Sequence, residues 1–108
     1  MNRVNDTALF FVGQCIKHKL FGYEGVIIDV DPFFMLSDEW YELMAKSLPP
    51  KDRPWYRILV HNSSHETYVA EQNLDKLEKR GEVNHPDIEL YFDSYADGVY
   101  QLRSRNTN

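Results

Sequence analysis

The alternation of apolar and polar positions along the first three quarters of the chain predicts short β-strands. Runs rich in β-branched residues occupy 15–18 and 26–30, and the glycines between them favour a tight turn, so these runs are expected to form a hairpin. A third run, 55–60, has apolar positions on both faces, and a fourth, 66–70, follows a polar bend. A last short pairing is expected near 76–77. Together these runs indicate a mainly β fold, a compact antiparallel barrel.

Two segments outside the strands carry helical signals. Between the second and third strands, Ser37 is a suitable N-cap and Pro49-Pro50 ends any helix, so a short helical excursion is expected there. Near the C-terminus, Pro86 suits a first helical turn, and apolar residues recur at helical spacing until Asp97-Gly98. We therefore predict a C-terminal helical extension over about 84–97, packed on a barrel core of about 11–77.

Length and cysteine content restrict the domain organisation and the environment. A chain of 108 residues is expected to form one domain, 1–108. The single cysteine, Cys15, excludes an internal disulfide and favours a reducing intracellular compartment, the cytoplasm or nucleus, or an organelle if a transit segment was removed. The apolar stretch 8–12 is too short for a signal peptide or a membrane span, so no membrane association is expected.

The net charge of −5 argues against a generic nucleic-acid binder, because such proteins carry a basic surface that neutralises phosphates. The polar residues also form no recognisable catalytic or metal motif. His61 and His65 flank a predicted turn without a nearby thiol or carboxylate, while Asp29 and Asp31 end a strand, where carboxylates usually bond the following loop. We expect neither enzymatic activity nor a metal or cofactor.

Aromatic residues are the stronger candidates for binding a partner. Tyr23 lies in the hairpin turn, Trp40 on the excursion, and Trp55 and Tyr56 on one strand, where neighbours face opposite ways. One of that pair can enter the core, whereas the other faces outward or lies beneath the excursion. Partly exposed aromatic rings anchor peptides and unstacked bases. Tyr23, Trp40 and Trp55 are the expected partner-binding residues, with Tyr56 as the alternative outward ring, unless the helix and tail cover them all.

Several short motifs follow one another along most of the chain, at Gly13-Gln14, His18, Gly22-Tyr23, Gly25-Val26, Asp29, Asp31-Pro32, Leu36-Ser37, Pro54-Trp55-Tyr56, Val60, Thr67-Tyr68, Ala70-Glu71 and Leu74. Together they resemble the YccV/HspQ-like family, the hemimethylated-DNA-binding domain. The resemblance implies an SH3-like small barrel with a helical excursion between strands 2 and 3. The excursion at 38–40 and the tail at 85–87 and 91–92 look more like the eukaryotic F-box-associated version than the short bacterial form.

Members of that family are described as binders of hemimethylated DNA and as adaptors or accessory factors of proteases. The resemblance therefore implies a non-enzymatic adaptor or substrate-recognition domain in protein degradation and quality control. Its partners would be protease or ubiquitin-ligase machinery, or the substrates of either. The alternative is a domain that recognises hemimethylated DNA, in which Lys17, His18 and Lys19 beside the hairpin turn would contact phosphate. Exposed barrel edges would also permit oligomers.

Overall fold

A five-stranded antiparallel sheet forms the body of the chain in a computed structural model, which describes residues 8–78 and 81–104. The fold is mainly β, and the predicted hairpin and the two strands after it are present. The strands of this sheet are β1 (Cys15–His18), β2 (Glu24–Asp31), β3 (Trp55–Val60), β4 (Glu66–Ala70) and β5 (Leu74–Lys76). They pair in the order β4-β3-β2-β1-β5, so β4 and β5 lie at the two ends of the order.

The closed SH3-like barrel inferred from the sequence is not observed. A 3-10 turn at Glu71–Asn73 carries the chain from β4 to β5, which pairs with β1, and no pairing joins β4 to β5 among the described strands. The strand β2 bends at a register shift between Ile27 and Asp29, and its first half pairs with both β1 and β3. The sheet therefore has an open edge along β4.

The sheet is covered by apolar side chains on both faces. Ile27 and Ile58 belong to one buried cluster, whereas Val26 and Leu59 belong to another that includes residues of the C-terminal extension. Because neighbouring residues of a strand point to opposite faces, burial on both sides explains why the sequence of β2 is continuously apolar from 26 to 28. The two clusters hold the sheet between the N-terminal segment and the C-terminal extension.

The predicted excursion between β2 and β3 is present as helix α1 (Asp38–Met44). Ser37 is its N-cap, and the Ser37 side chain accepts a hydrogen bond of 3.1 Å from the backbone N–H of Trp40. The loop after the helix returns over β3, where the Tyr41 hydroxyl donates to the carbonyl of Pro49. No helix within 8–78 or 81–104 combines the length and the apolar character needed to cross a lipid bilayer.

The C-terminal extension differs from the prediction. The helix expected over about 84–97 is limited to a single turn, α2 (Ile88–Tyr91), and the chain continues as a hairpin of β6 (Phe92–Ala96) and β7 (Val99–Leu102). Asp97 and Gly98 have φ values of +54° and +82°, as a two-residue type I′ turn requires. The dipeptide read as a helix breaker therefore forms the hairpin turn. The extension packs on the sheet as expected, since the Tyr100 N–H donates to the Gly13 carbonyl at 2.9 Å.

Candidate functional site

A groove of about 350 Å³ runs alongside β4. All five residues of β4 line it. Helix α1 and the loop that follows form one wall, and the turn between β1 and β2 forms the other. The aromatic rings in its lining are Phe21, Tyr23, Trp40, Trp55 and Tyr68. The groove is therefore a mainly apolar surface between two walls that come from separate parts of the chain.

The wall on the side of α1 is a cluster of aromatic rings. Trp55 stacks on Tyr68 with ring centroids 5.3 Å apart, and Trp40 meets Tyr68 edge to face at 5.6 Å. The Trp55 indole N–H donates to the Pro50 carbonyl at 3.1 Å, and the ring is 1% exposed. Hydrogen bonds also hold the Tyr68 hydroxyl, and burial and the bond to Asp31 raise the pKa of Tyr68, so it stays protonated. These contacts hold the rings of this wall against one another.

The opposite wall is organised by a buried histidine. The Nδ1 atom of His18 accepts hydrogen bonds of 3.1 Å from the backbone N–H groups of both Leu20 and Phe21. The imidazole stacks on the Phe21 ring at 4.7 Å and lies 5.0 Å from the Tyr23 ring. Burial lowers the pKa of His18, which keeps the imidazole neutral, as acceptance at Nδ1 requires. The Tyr23 hydroxyl is 2.8 Å from Thr67 Oγ1 and so connects this turn to β4.

Three of the four aromatic residues predicted to bind a partner line the same groove. Tyr23 contributes to one wall, and Trp40 and Trp55 to the other, with Trp55 beneath the excursion. Tyr56 does not take part, because its ring is fully buried on the other face of β3. The Tyr56 hydroxyl donates to Glu71 Oε2 at 2.6 Å, and burial and that carboxylate raise the pKa of Tyr56. Tyr56 is thus an interior ring.

The groove also contains residues that the sequence analysis did not select. Phe21 and Met44, which are 68% and 59% exposed, line it, and so does Tyr68, which is buried. The pairing of β3 with β4 places Tyr68 opposite Arg57, on the same face as Trp55. A register inferred for the β3–β4 hairpin could have identified Tyr68. No local signal marks Phe21 or Met44, because the walls come together only in the tertiary fold.

Of the residues proposed to contact DNA, Lys17 and Lys19 are exposed and His18 is buried. His18 is buried and uses Nδ1 within its own turn. Lys19 lies 3.8 Å from Asp75, whereas Lys17 is exposed at the position of β1 that precedes His18.

Within 8–78 and 81–104, no three His, Cys, Asp or Glu residues are grouped so as to hold a metal ion. The carboxylate of Asp29, one of the two acidic residues at the end of β2, lies 3.9 Å from the guanidinium of Arg57 on the neighbouring strand β3.

Comparison with known proteins gives a family and a set of relatives. The family model described as "Hemimethylated DNA-binding protein YccV like" matches residues 8–99, which include every groove residue. F-box only protein 21 from Homo sapiens, from Mus musculus and from Pongo abelii is in each case 36% identical over 93 residues, which cover 84% of this chain. The match covers 15% of the length of each of these relatives.

Proposed function

The chain belongs to the YccV-like family, and on that premise we propose that it is a non-enzymatic binding module that presents protein segments to the machinery of protein degradation. The groove beside β4 supports this role, because Tyr23, Trp40 and Trp55 line it together. Aromatic rings on a preorganised scaffold are typical anchors of protein–protein recognition. The relatives named F-box only protein 21 support ubiquitin-ligase machinery or its substrates as partners, and a protease remains the other partner class implied by the family resemblance.

The charges of the groove favour a polypeptide over a nucleic acid. Arg57 and Glu66 form a hydrogen-bonded ion pair of 3.0 Å, which leaves Lys46 as the remaining charged residue of the lining. The whole chain carries a net charge of −5. A nucleic acid would need several cationic contacts to its phosphates, whereas an apolar peptide segment needs none. The alternative function, recognition of hemimethylated DNA, has less physical support.

Two neighbouring residues of α1 provide a matched test. Met44 lines the groove and is 59% exposed, whereas Leu43 is 69% exposed and does not line it. Met44→Glu therefore places a charge at the groove rim, and Leu43→Glu places the same charge beside it. Purification of the tagged variants from cells, combined with measurement of the half-lives of the recovered proteins, tests both binding and degradation.

A set of proteins should be recovered equally with the unaltered chain and Leu43→Glu, and about tenfold less with Met44→Glu, because a buried unpaired charge weakens binding by more than about 1.4 kcal/mol. The same proteins should live longer in cells that express Met44→Glu. Equal recovery with both variants would overturn the groove as the binding surface. Reduced recovery with unchanged half-lives would overturn the role in degradation.

A further inference from the structure

Asn73 bridges the two walls of the groove beyond the last residue of β4. Its side-chain amide donates to Ser47 Oγ at 3.2 Å, and its backbone carbonyl accepts a hydrogen bond of 2.8 Å from the Lys19 N–H. Ser47 lies in the loop after α1, whereas Lys19 lies in the turn between β1 and β2. Lys46 precedes Ser47 and lines the groove with Ser47 and Asn73. Lys46, Ser47 and Asn73 therefore form a polar end of the groove.

The polar end carries the unbalanced positive charge of the groove lining. Lys46 is exposed, and none of the ion pairs between described residues includes it. In contrast, Arg57 lies 3.0 Å from Glu66, the first residue of β4, and 3.9 Å from Asp29. Two carboxylates thus face the guanidinium of Arg57. The groove is therefore cationic at Lys46 and has no surplus positive charge at Glu66.

The loop that carries Lys46 has a strained backbone. Leu48 has a φ of +48°, in the left-handed region, where crowding of the Cβ atom disfavours residues other than glycine. The Leu48 N–H donates to the Ala45 carbonyl at 3.0 Å. The Tyr41 hydroxyl donates to the Pro49 carbonyl, so the turn is held on both sides of Leu48. Strained residues that the surrounding structure retains are frequent at functional sites, and this turn brings Lys46 to the groove.

Exposed apolar side chains line the rest of the groove. Leu20, Phe21 and Met44 are 59%, 68% and 59% exposed, and all three belong to the lining. A partner that covers them gains from the removal of apolar surface from water. The volume of about 350 Å³ has room for roughly two large apolar side chains, because a cavity of about 150 Å³ holds one benzene ring. Met44 lies two residues before Lys46, so the apolar contacts adjoin the cationic one.

We propose that the groove binds a polypeptide segment with two large apolar side chains beside one Asp or Glu, whose carboxylate pairs with Lys46 Nζ. This inference rests on the proposed function and specifies the class of segment that is recognised. The Ser47 hydroxyl accepts a bond from Asn73 and retains its own hydrogen to donate to the same carboxylate. A single acidic residue is favoured over an acidic run, because the chain has a net charge of −5 and repels further negative charge.

The probes are short peptides selected for binding to the chain from a random displayed library and synthesised with an amidated C-terminus. Selection should enrich peptides in which one Asp or Glu adjoins large apolar residues. Fluorescence anisotropy compares each peptide with its Asn or Gln counterpart. The amide counterpart and Lys46→Gln should each weaken binding about fivefold, and together they should weaken it no further, because both remove the same ion pair.

Charge reversal and a matched lysine variant complete the design. Lys46→Glu should bind a peptide with Lys at the acidic position about fivefold more tightly than the original peptide. Lys17→Gln makes the same charge change at an exposed position of β1 outside the groove lining, and should leave the affinity within about twofold. Lys46→Gln should keep the melting temperature of the unaltered chain, because Lys46 is exposed and forms no ion pair with a described residue.

The outcomes distinguish this inference from the proposed function. A peptide that is lost in Met44→Glu, but is bound equally by the unaltered chain, Lys46→Gln and Lys46→Glu, overturns the carboxylate contact and leaves the groove as the binding surface. Failure to select any peptide that depends on Met44 overturns both. Equal weakening by Lys17→Gln and Lys46→Gln indicates a general charge effect and overturns the inference. Peptides that depend on Lys46 only when their C-terminal carboxylate is free assign Lys46 to chain ends, which also overturns it.

Discussion

The Tyr68 hydroxyl donates a hydrogen bond of 2.6 Å to Asp31 Oδ2. The same hydroxyl accepts a bond of 3.1 Å from the backbone N–H of Met35. These residues belong to the edge strand β4, the end of β2 and the segment that leads to α1, so one hydroxyl joins β4 to the groove wall formed by α1. The shape of the groove therefore depends on a contact between residues far apart in the sequence.

Tyr68→Phe should reduce the free energy of unfolding by about 1.5–3 kcal/mol, since it removes a hydrogen bond to a carboxylate and leaves the Met35 N–H without this acceptor. Urea denaturation of Tyr68→Phe, Asp31→Ala and the double variant measures the energetic coupling between these two side chains. The double variant should lose about 1 kcal/mol less than the sum of the single losses. If the loss in the double variant equals the sum of the two single losses, the Tyr68–Asp31 hydrogen bond does not contribute to stability.

His18 should make the stability of the chain depend on pH. Burial lowers the folded-state pKa of His18 below its ordinary value of 6.5, so the unfolded chain binds the proton more readily. The stabilising contribution is complete above about pH 6.5 and is lost as the pH falls through the lowered pKa. Urea midpoints at about pH 8 and about pH 5 measure this loss.

His18→Gln should unfold more easily than the unaltered chain at the higher pH, but should lose less stability on acidification. His65→Gln, at an exposed position of the β3–β4 turn, is the control and should change both midpoints by the same small amount. If His18→Gln keeps the full loss of stability between the two pH values, buried His18 is not its source.

Gly25 lies in β2, opposite Val60 of β3. A Cβ atom at this position would meet the Leu59 carbonyl oxygen at 2.4 Å and Ile58 Cγ2 at 2.7 Å. Gly25→Ala should therefore reduce the free energy of unfolding by about 1–3 kcal/mol or more, because backbone atoms must move. Gly81→Ala, whose added carbon would meet no described atom within 4 Å apart from its chain neighbours, should have a much smaller effect. Thermal unfolding of the two variants compares them, and equal melting temperatures would contradict the close approach.

The chain should bind duplex DNA weakly, and its affinity should not depend on the methylation state of the duplex. His18 is inward and neutral, and Lys19 lies 3.8 Å from Asp75, so Lys17 and a partly neutralised Lys19 are the lysines beside the β1–β2 turn. Fluorescence anisotropy of hemimethylated, fully methylated and unmethylated duplexes should show similar affinities that fall steeply between about 50 and about 150 mM salt. A preference for the hemimethylated duplex at the higher salt would contradict this account.

The local features of the fold could be predicted from the sequence. Ser37 marks the start of α1, and the alternation in 55–60 and 66–70 gives β3 and β4 with their observed bounds, because capping and strand signals are local. The helix prediction for the C-terminal extension was wrong, because an Asp-Gly dipeptide can end a helix and can equally well form the turn of a hairpin. Its aromatic positions fit a helical period, and the register shift after Phe92 lets them fit a hairpin too.

The candidate site was only partly predictable. The opposite orientation of Trp55 and Tyr56 follows from strand geometry, but which ring enters the interior depends on where α1 and the N-terminal segment pack. In the interior the Tyr56 hydroxyl donates to Glu71, a long-range contact that strand geometry alone does not predict. The open edge of β4 depends on the whole strand order, which no short motif encodes.

The most direct measurement is the affinity of one labelled peptide, selected for binding to the chain from a random displayed library, for three forms of the chain. Fluorescence anisotropy should give an affinity about tenfold or more weaker for Met44→Glu than for the unaltered chain, and an unchanged affinity for Leu43→Glu. A hemimethylated duplex at near-physiological salt should not displace the peptide. Equal affinities for the two variants, or displacement by the duplex, would contradict the conclusion that the groove beside β4 binds protein segments.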